Sequence, residues 1–275
     1  MIRRRISRAR AKMALTVMWC ALAFVYLFPY TWMVLTSIRP PMDTLEMRFI
    51  FTPTLEGFHS LFVRSGFQTY LLNSILVAVP ATLVCVAVAS PAAYALTQLR
   101  LRGRIFLGAI LVARMVPGIA IVVPIYLAAS RAGMLDTRTV LVVLYTAFNL
   151  PFAIWLLRGF FREVPAEVRE AAIIDGCTEF QVFRSMMLPL LTGGLVATGV
   201  FVFIAAWNEF LFALTLTQSN AATAPLSVVG FRNEYGIDWL AIGAAAVLIS
   251  TPVVVFAIAM QRYLVRGLTM GSVKR

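Results

Sequence analysis

Two charged residues, Arg114 and Glu209, lie inside long apolar runs of the sequence. A charge at membrane depth is costly to bury, so each of them is a functional candidate by default. Arg114 lies about nine residues into its run and Glu209 near the end of another, so a direct ion pair between them is not required. Two other interpretations stay open, because Glu209 could extend to the membrane interface and Arg114 could hold neighbouring helices together.

The sequence contains no recognisable catalytic or metal-binding set. The single histidine, His59, falls in a predicted loop, and Cys20, Cys85 and Cys177 are too scattered to form a disulfide or metal framework. A membrane-embedded enzyme would need a nucleophile and a base that converge, and the apolar runs supply neither. No GKS or GKT string is present, so the chain cannot cradle nucleotide phosphates. We predict no catalytic residues, no metal ligands and no enzymatic activity.

The apolar runs define the class of protein. Of 275 residues, 61% are hydrophobic and 13% are charged, and the mean hydropathy is +0.87, which excludes a water-soluble enzyme. A helix needs about 20 apolar residues to cross about 30 Å of hydrocarbon. Six long runs occupy residues 13–36, 70–96, 105–129, 140–157, 187–216 and 240–265. We predict an all-α polytopic membrane protein with six transmembrane helices.

The first run has some features of a cleaved signal peptide. Arginines precede it, and Ala21-Leu22-Ala23 imitates a cleavage site. The run continues past that site to Val34, however, which favours an anchor that is retained in the mature protein.

The basic residues are sorted between the two ends of the predicted helices. Of 24 Lys and Arg, 17 fall in the termini and in the second and fourth connections, against 6 in the other loops. By the positive-inside rule, both termini of this multi-pass protein are predicted to face the cytoplasm. Membrane lipid with anionic headgroups accounts for the net charge of +12, so nucleic acid is not a predicted partner.

The fourth connection reads as two short helices joined by a tight turn, in the string REVPAEVREAAIIDGCTEFQVFRSMMLPLL. Pro165 suits the first turn of the first helix, and Gly176 suits a left-handed C-terminal cap. Thr178, followed three residues later by Gln181, is a capping box that starts the second helix.

The small pair Ala171-Ala172 lets another surface approach the first helix closely, and Glu170 and Asp175 offer acceptors beside it. In the second helix, the spacing of Phe180, Phe183 and Met187 predicts one shared apolar face. These residues could form a docking surface for a partner. By their types alone, they could equally form an amphipathic hairpin on the inner leaflet.

The connection resembles the EAA loop of binding-protein-dependent ABC importer permeases. The matching residues are Glu170-Ala171-Ala172, Asp175-Gly176, Phe183 and Leu188-Pro189. The whole chain resembles permeases of the carbohydrate-uptake type, similar to the smaller inner-membrane subunit of maltose transporters. Supporting strings are LLNSILVA from Leu71, RMVPGIAIVVPIYL from Arg114, WNEFLFALTLT from Trp207 and the tail QRYLVRGLTMGSVKR. One departure is Cys177, where the family usually has Ala.

The resemblance implies the type I ABC importer permease fold, as a single transmembrane permease domain over residues 1–275. Its parts would be a cytoplasmic N-terminus (1–12), a six-helix core (13–265) containing the coupling loop (163–188), and a cytoplasmic tail (266–275). A separate subunit would bind ATP and Mg²⁺, so no cofactor is expected in this chain. The residues expected to couple the chain to that ATPase are Glu170, Ala171, Ala172, Asp175, Gly176, Thr178, Phe180 and Phe183.

The resemblance also implies the partners and cargo of a heteromeric importer. The partners would be a second homologous permease subunit, two copies of the ABC ATPase subunit and an extracytoplasmic solute-binding protein. A carbohydrate path needs hydroxyl partners and an aromatic face, so Asn149, Trp207 and Asn208 join Arg114 and Glu209 as candidates for it. The alternative function is an ion-coupled secondary transporter of small polar solutes, which gives no reason for an EAA loop.

Overall fold

The computed structural model describes residues 2–41, 50–98, 108, 112, 115–233 and 236–269. Its described part is almost wholly helical, as predicted. The helices are α1 (Ile2–Ser37), α2 (Glu56–Arg64), α3 (Phe67–Gln98), α4 (Gly118–Arg131), α5 (Arg138–Phe161), α6 (Ala166–Ile174), α7 (Glu179–Leu190), α8 (Thr192–Trp207), α9 (Leu211–Leu216), α10 (Ala224–Ser227) and α11 (Trp239–Thr269). A 3-10 turn, Val228–Phe231, leads into two-residue strands β1 (Arg232–Asn233) and β2 (Gly236–Ile237), which pair antiparallel.

Within the described residues, four helices are long and apolar enough to cross a membrane: α1 from Lys12, α3, α5 and α11 up to Gln261. Helices α7 and α8 meet the same length and hydropathy limits only when taken together, and they are bent by 78° at Leu191, as in a broken span or a re-entrant loop. Helix α4 is apolar but has only 14 residues. Since most of residues 99–114 lie outside the described part, the predicted count of six spans stays a prediction.

The span predicted over residues 187–216 is not one continuous helix. The chain bends at Leu191. A second break of three residues separates the end of α8 at Trp207 from the start of α9 at Leu211. Residues Val182–Met187 of α7 form a π-helix, and Pro189 has no N–H to donate. A π-segment and a proline are both recognised causes of sharp helix bends. The segments on both sides of Leu191 are predominantly apolar, so apolarity alone did not reveal the bend.

The chain divides into two compact units, Met1–Phe67 with Val228–Leu248, and Gln68–Ser227 with Ile249–Arg275. In the first unit, glycines let backbones approach closely. A Cβ atom at Gly57 would lie 3.0 Å from the carbonyl oxygen of Ser37, and one at Gly243 would lie 3.0 Å from the amide nitrogen of Ser37. The end of α1 therefore packs tightly against both α2 and the first part of α11.

The second unit has two hydrophobic clusters, each built on α3 and α5. One includes Cys85, Ala89, Leu157 and Phe161, and reaches the predicted coupling loop through Ala172, Val182 and Met187. The other joins α3 and α5 to α4, α8 and α9, and includes Val77, Leu141, Tyr145, Trp207 and Phe212. The first cluster thus packs against the loop, and the second includes Trp207, one of the candidates for the solute path.

Candidate functional site

Helix α6 ends in the left-handed glycine cap that was predicted. Gly176 has φ +88°, which a side chain with a Cβ rarely adopts. The amide of Gly176 donates to the carbonyl of Ile173 at 3.0 Å, and the amide of Cys177 donates to that of Ala172 at 3.0 Å. These two bonds form a Schellman motif, which satisfies carbonyls at the helix end and turns the chain sharply.

The capping box at the start of α7 is also confirmed. The Gln181 amide donates to the Thr178 hydroxyl oxygen at 3.3 Å, and the Thr178 amide donates to Oε1 of Gln181 at 2.7 Å. Pro165 lies one position earlier than predicted, since it is the N-cap of α6, with ψ 139°, and does not belong to the first helical turn. We refer to residues 166–190, helices α6 and α7 with their turn, as the hairpin.

The hairpin buries some of the predicted coupling residues and exposes others. Ala172 is only 2% exposed and packs inward, and Phe183 is half-buried. The exposed members are Glu170, Ala171, Asp175, Gly176, Thr178 and Phe180. Ile174, which did not enter the predicted set, is 84% exposed. The hairpin therefore carries an exposed apolar surface with carboxylates beside it.

The predicted apolar face of Phe180, Phe183 and Met187 is wrong for Phe180, which does not share the buried side of the helix. Phe180 is 67% exposed, whereas Met187 is buried, and Val182 takes the inward position in this part of the helix. Phe180 and Met187 are seven residues apart, which would align them in an α-helix. The π-segment between them holds more than 3.6 residues in each turn, and this rotates Phe180 away.

Glu179 makes a set of hydrogen bonds that the sequence did not reveal. Its Oε2 accepts from the Tyr94 hydroxyl at 2.7 Å and from Nε of Arg169 at 3.2 Å, and its Oε1 pairs with Nη2 of Arg169. The bonds from Arg169 and then from Tyr94 lower the pKa of Glu179, and the bond to Glu179 raises the pKa of Arg169. Tyr94 is 85 residues from Glu179 along the chain, so no local pattern could predict the contact.

Two polar candidates for a solute path are buried in the second unit. Asn149 donates to the carbonyl of Tyr145 at 2.8 Å, in its own helix. The Trp207 indole donates to the carbonyl of Ile249 at 2.9 Å, one turn before Pro252, and its ring stacks on Phe203. Both side chains therefore hold helices in the observed conformation, and their role as solute contacts stays a prediction.

The other candidates lie where α8 stops. Asn208 is exposed, and Glu209 accepts at Oε1 from the Phe212 amide at 3.0 Å, which caps the start of α9. The hydroxyl of Tyr145 is buried close to the Glu209 carboxylate. Arg114 lies outside the described residues. The Tyr145 hydroxyl and the Glu209 carboxylate thus lie close together at the break between α8 and α9, where Asn208 is exposed.

Asp136 forms a second polar cluster, which the sequence analysis missed. It is the one residue other than glycine with a positive φ, 54°, in the described part. Its carboxylate accepts from the amides of Gln218 at 2.9 Å, Asn220 at 3.1 Å and Ala221 at 3.1 Å. Burial alone would raise the pKa of Asp136, but these backbone donors outweigh it and hold the pKa below its usual range. The carboxylate fixes the segment that follows α9.

The geometry can be compared with known proteins. A family model described as "Binding-protein-dependent transport system inner membrane component" matches residues 85–270. A probable ABC transporter permease protein of Sinorhizobium fredii is 59% identical over 98% of each chain. The trehalose transport system permease protein SugB of Mycobacterium tuberculosis is 37% identical over 90% of this chain and 92% of its own. The diacetylchitobiose uptake system permease protein DasC of Streptomyces coelicolor is 36% identical over 90% and 91%, respectively.

A solved structure has the same fold. It is the crystal structure of a bacterial ABC transporter involved in the import of the acidic polysaccharide alginate. One of its chains matches with a TM-score of 0.77 and 23% identity, over 91% of this chain and 95% of that chain. The predicted type I ABC importer permease fold is therefore confirmed. From the extent of the family match and the identity of its relatives, this chain belongs to the family of inner membrane components of binding-protein-dependent transport systems.

Proposed function

We propose that this chain is the transmembrane permease subunit of an ATP-driven carbohydrate importer, whose cargo is a sugar, a polyol or a sugar derivative. The observation that carries the proposal is the hairpin. It connects α5 to α8 along the chain and carries an exposed apolar surface. The names of the relatives support the cargo class, since they include transporters of trehalose and of diacetylchitobiose.

Membership of the family means that the chain is a multi-pass membrane subunit, and not itself an enzyme, and that it works with an ATPase and a solute-binding protein. The assembly we propose contains this chain, a second homologous permease subunit, two ATPase subunits and an extracytoplasmic solute-binding protein, in a lipid bilayer of the inner membrane. ATP and Mg²⁺ would bind to the ATPase subunits, and this chain would need no cofactor. An ion-coupled secondary transporter is not favoured, because the family depends on a binding protein.

The hairpin has the surface that a coupling element needs. Ile174 and Phe180 expose apolar side chains on either side of Gly176, and Glu170 and Asp175 add carboxylates at the rim. Large apolar side chains buried at the centre of an interface usually supply most of its binding energy. A partner can shift the permease between two conformations only if it binds them differently. We propose that the ATPase binds this surface tightly in one conformation of the permease and more weakly in the other.

The solute path is proposed at the break between α8 and α9. Asn208 and Glu209 are the polar side chains with exposure there, and the buried Tyr145 hydroxyl lies beside them. Amide, carboxylate and hydroxyl groups suit the hydroxyls of a carbohydrate. Arg114 remains a candidate, whereas Asn149 and Trp207 are buried and donate to backbone carbonyls.

The function is tested by uptake in proteoliposomes that contain the purified importer with its ATPase and binding protein. We expect ATP-dependent, binding-protein-dependent uptake of one member of a panel of labelled sugars, polyols and sugar derivatives. Uptake that is driven by an ion gradient, and that needs no ATP, would contradict the proposal.

Ile174→Asp should break the contact with the ATPase. Burying an unpaired charge in place of an apolar anchor should lower ATPase co-purification by about tenfold or more, because central anchors often contribute at least 2 kcal/mol. Ile237→Asp is the control, since Ile237 is also an exposed isoleucine but lies in the other unit. Normal co-purification with Ile174→Asp would remove the hairpin as the docking surface.

The proposed orientation places the hairpin and both termini in the cytoplasm. In a variant without Cys20, Cys85 and Cys177, single cysteines at the exposed positions Thr139 and Ser185 should label from opposite sides of the membrane, with Thr139 outside. An impermeant maleimide applied to intact cells and to inverted vesicles measures this. Labelling of both positions from one side would exclude the orientation.

A further inference from the structure

We infer that Glu179 joins the hairpin to α3, so that the two move as one body, and that Tyr94 and Arg169 are positioning residues for this joint. The inference rests on the proposed function, because it assigns a route by which closure of the ATPase would reach a transmembrane helix. The observation that carries it is one carboxylate bonded to residues of two other helices.

The Glu179 carboxylate connects three helices at once. Oε2 accepts from the hydroxyl of Tyr94, at the end of α3, at a distance of 2.7 Å. The guanidinium of Arg169, in α6, donates through Nε to Oε2 at 3.2 Å and through Nη2 to Oε1. A guanidinium that bonds both oxygens of a carboxylate fixes orientation as well as distance. The two arms of the hairpin are thus bonded to each other and to α3 at one point.

The Tyr94 ring is held rigidly enough to define this point. It is 5% exposed, and its centroid lies 5.7 Å from that of Phe161 in α5 and 5.3 Å from that of Phe183 in α7. The ring therefore packs between a transmembrane helix and the hairpin, and its hydroxyl reaches Glu179. Gln98, one turn further along α3, donates to the carbonyl of Phe161 at 3.0 Å, which ties α3 to α5 as well.

The joint and the docking surface lie at different parts of the hairpin. Ile174 and Phe180 are exposed, whereas Ala172 and Val182 are buried in the cluster that contains Tyr94. A push on the exposed residues can move α3 only if the hairpin keeps its shape and stays attached. The packed cluster resists compression, but apolar contacts are not directional. The hydrogen bonds of Glu179 supply the directional attachment.

The ion pair between Arg169 and Glu179 contributes little to the stability of the fold. Its role in transmitting motion can therefore be tested separately from stability. The side chains of Arg169 and Glu179 are 25% and 41% exposed. Exposed ion pairs are typically worth only a small part of a protein's stability. Removing the joint should therefore leave the fold and the assembly intact while the transmission of motion suffers.

Tyr94→Phe tests the joint directly, because it keeps the ring and removes only the hydroxyl. In the complete importer in proteoliposomes, the amount of solute transported per ATP hydrolysed should fall by about fivefold. This is the low end of the range of effects that coupled sites have on each other. The melting temperature and subunit co-purification should stay at wild-type values. Tyr126→Phe, at an exposed tyrosine of α4, is the matched control and should change none of these quantities.

A double-mutant cycle gives the second test. In the Glu179→Ala background, Tyr94→Phe should cause no further loss of transport per ATP, because its bonding partner is already absent. Additive effects of the two substitutions would overturn the inference, and so would loss of assembly by Tyr94→Phe. If wild-type protein imports a carbohydrate and Tyr94→Phe keeps the wild-type ratio, the inference fails and the proposed function stands. If wild-type protein imports none, the proposed function itself fails.

Discussion

Gly176→Val is expected to abolish solute uptake while the transmembrane helices still insert. Gly176 has φ +88°, where a β-branched residue is strained by about 1 to 2 kcal/mol. A Cβ at Gly176 would meet nothing within 4 Å in the described part of the chain, so valine has space in this subunit alone. Its bulk would instead enter the surface that we propose for the ATPase. Uptake, ATPase activity and subunit co-purification should be measured on the same variant.

Gly133→Val separates strain from docking. Gly133 has φ +64° and also has open space around its Cβ position, but it lies between α4 and α5, away from the hairpin. We expect it to share the strain of Gly176→Val and to retain most of the uptake. Gly176→Asn, which tolerates the left-handed conformation, should retain more uptake than valine. Full transport by Gly176→Val would show that the hairpin only lies against the membrane.

Gly194→Ala is expected to lower thermal stability and impair uptake, because Gly194 lies where α8 packs on α5. An added Cβ would lie 2.5 Å from Cγ of Phe160 and 2.8 Å from its Cδ2, much closer than atoms approach without rearrangement. Overpacking of this kind costs about 1 to 3 kcal/mol, which exceeds the gain in helix propensity of up to about 1 kcal/mol. Thermal unfolding in detergent should show a melting temperature lowered by several degrees. Uptake should fall because Gly194 lies just after the 78° bend.

Gly199→Ala is the control on the same helix. Its added Cβ would make ordinary contacts, 3.9 Å from methyl groups of Thr82 and Val86. We expect an unchanged or raised melting temperature, because alanine favours a helix. Combining Gly194→Ala with Phe160→Leu should recover part of the loss, since the smaller side chain gives room. Equal melting temperatures for Gly194→Ala and Gly199→Ala would rule out the steric explanation.

The parts of the hairpin that depend on neighbouring residues could be predicted from the sequence. A glycine cap needs only Gly176 at the end of an apolar helix, and a capping box needs only Thr178 and Gln181 at the right spacing. Both are present with their expected hydrogen bonds. The four long transmembrane helices also follow from hydropathy, since each depends only on its own composition.

The parts that depend on distant residues could not be predicted. The bond between Tyr94 and Glu179 joins residues 85 positions apart, and Asp136 binds amides more than 80 positions away. The exposure of Phe180 depends on the π-segment Val182–Met187, and no residue pattern predicted that segment. The bend at Leu191 falls within a predicted apolar run, so hydropathy gave no sign of it. Trp207 suggested an aromatic face for a solute, but its indole binds a carbonyl of α11.

The hydrogen bonds of the hairpin close loops of very different lengths, and short loops close faster than long ones. The Schellman motif and the capping box close loops of no more than five residues, which form within microseconds and before distant parts of a chain meet. The turn of the hairpin can therefore form before the helix that follows it has entered the bilayer, whereas its two helices need the packing against α3 and α5. The bond between Glu179 and Tyr94 closes a loop of 85 residues, which is slower to form than these local turns. The turn is thus a local structure, and the bond from Tyr94 to Glu179 is the contact that attaches it to α3.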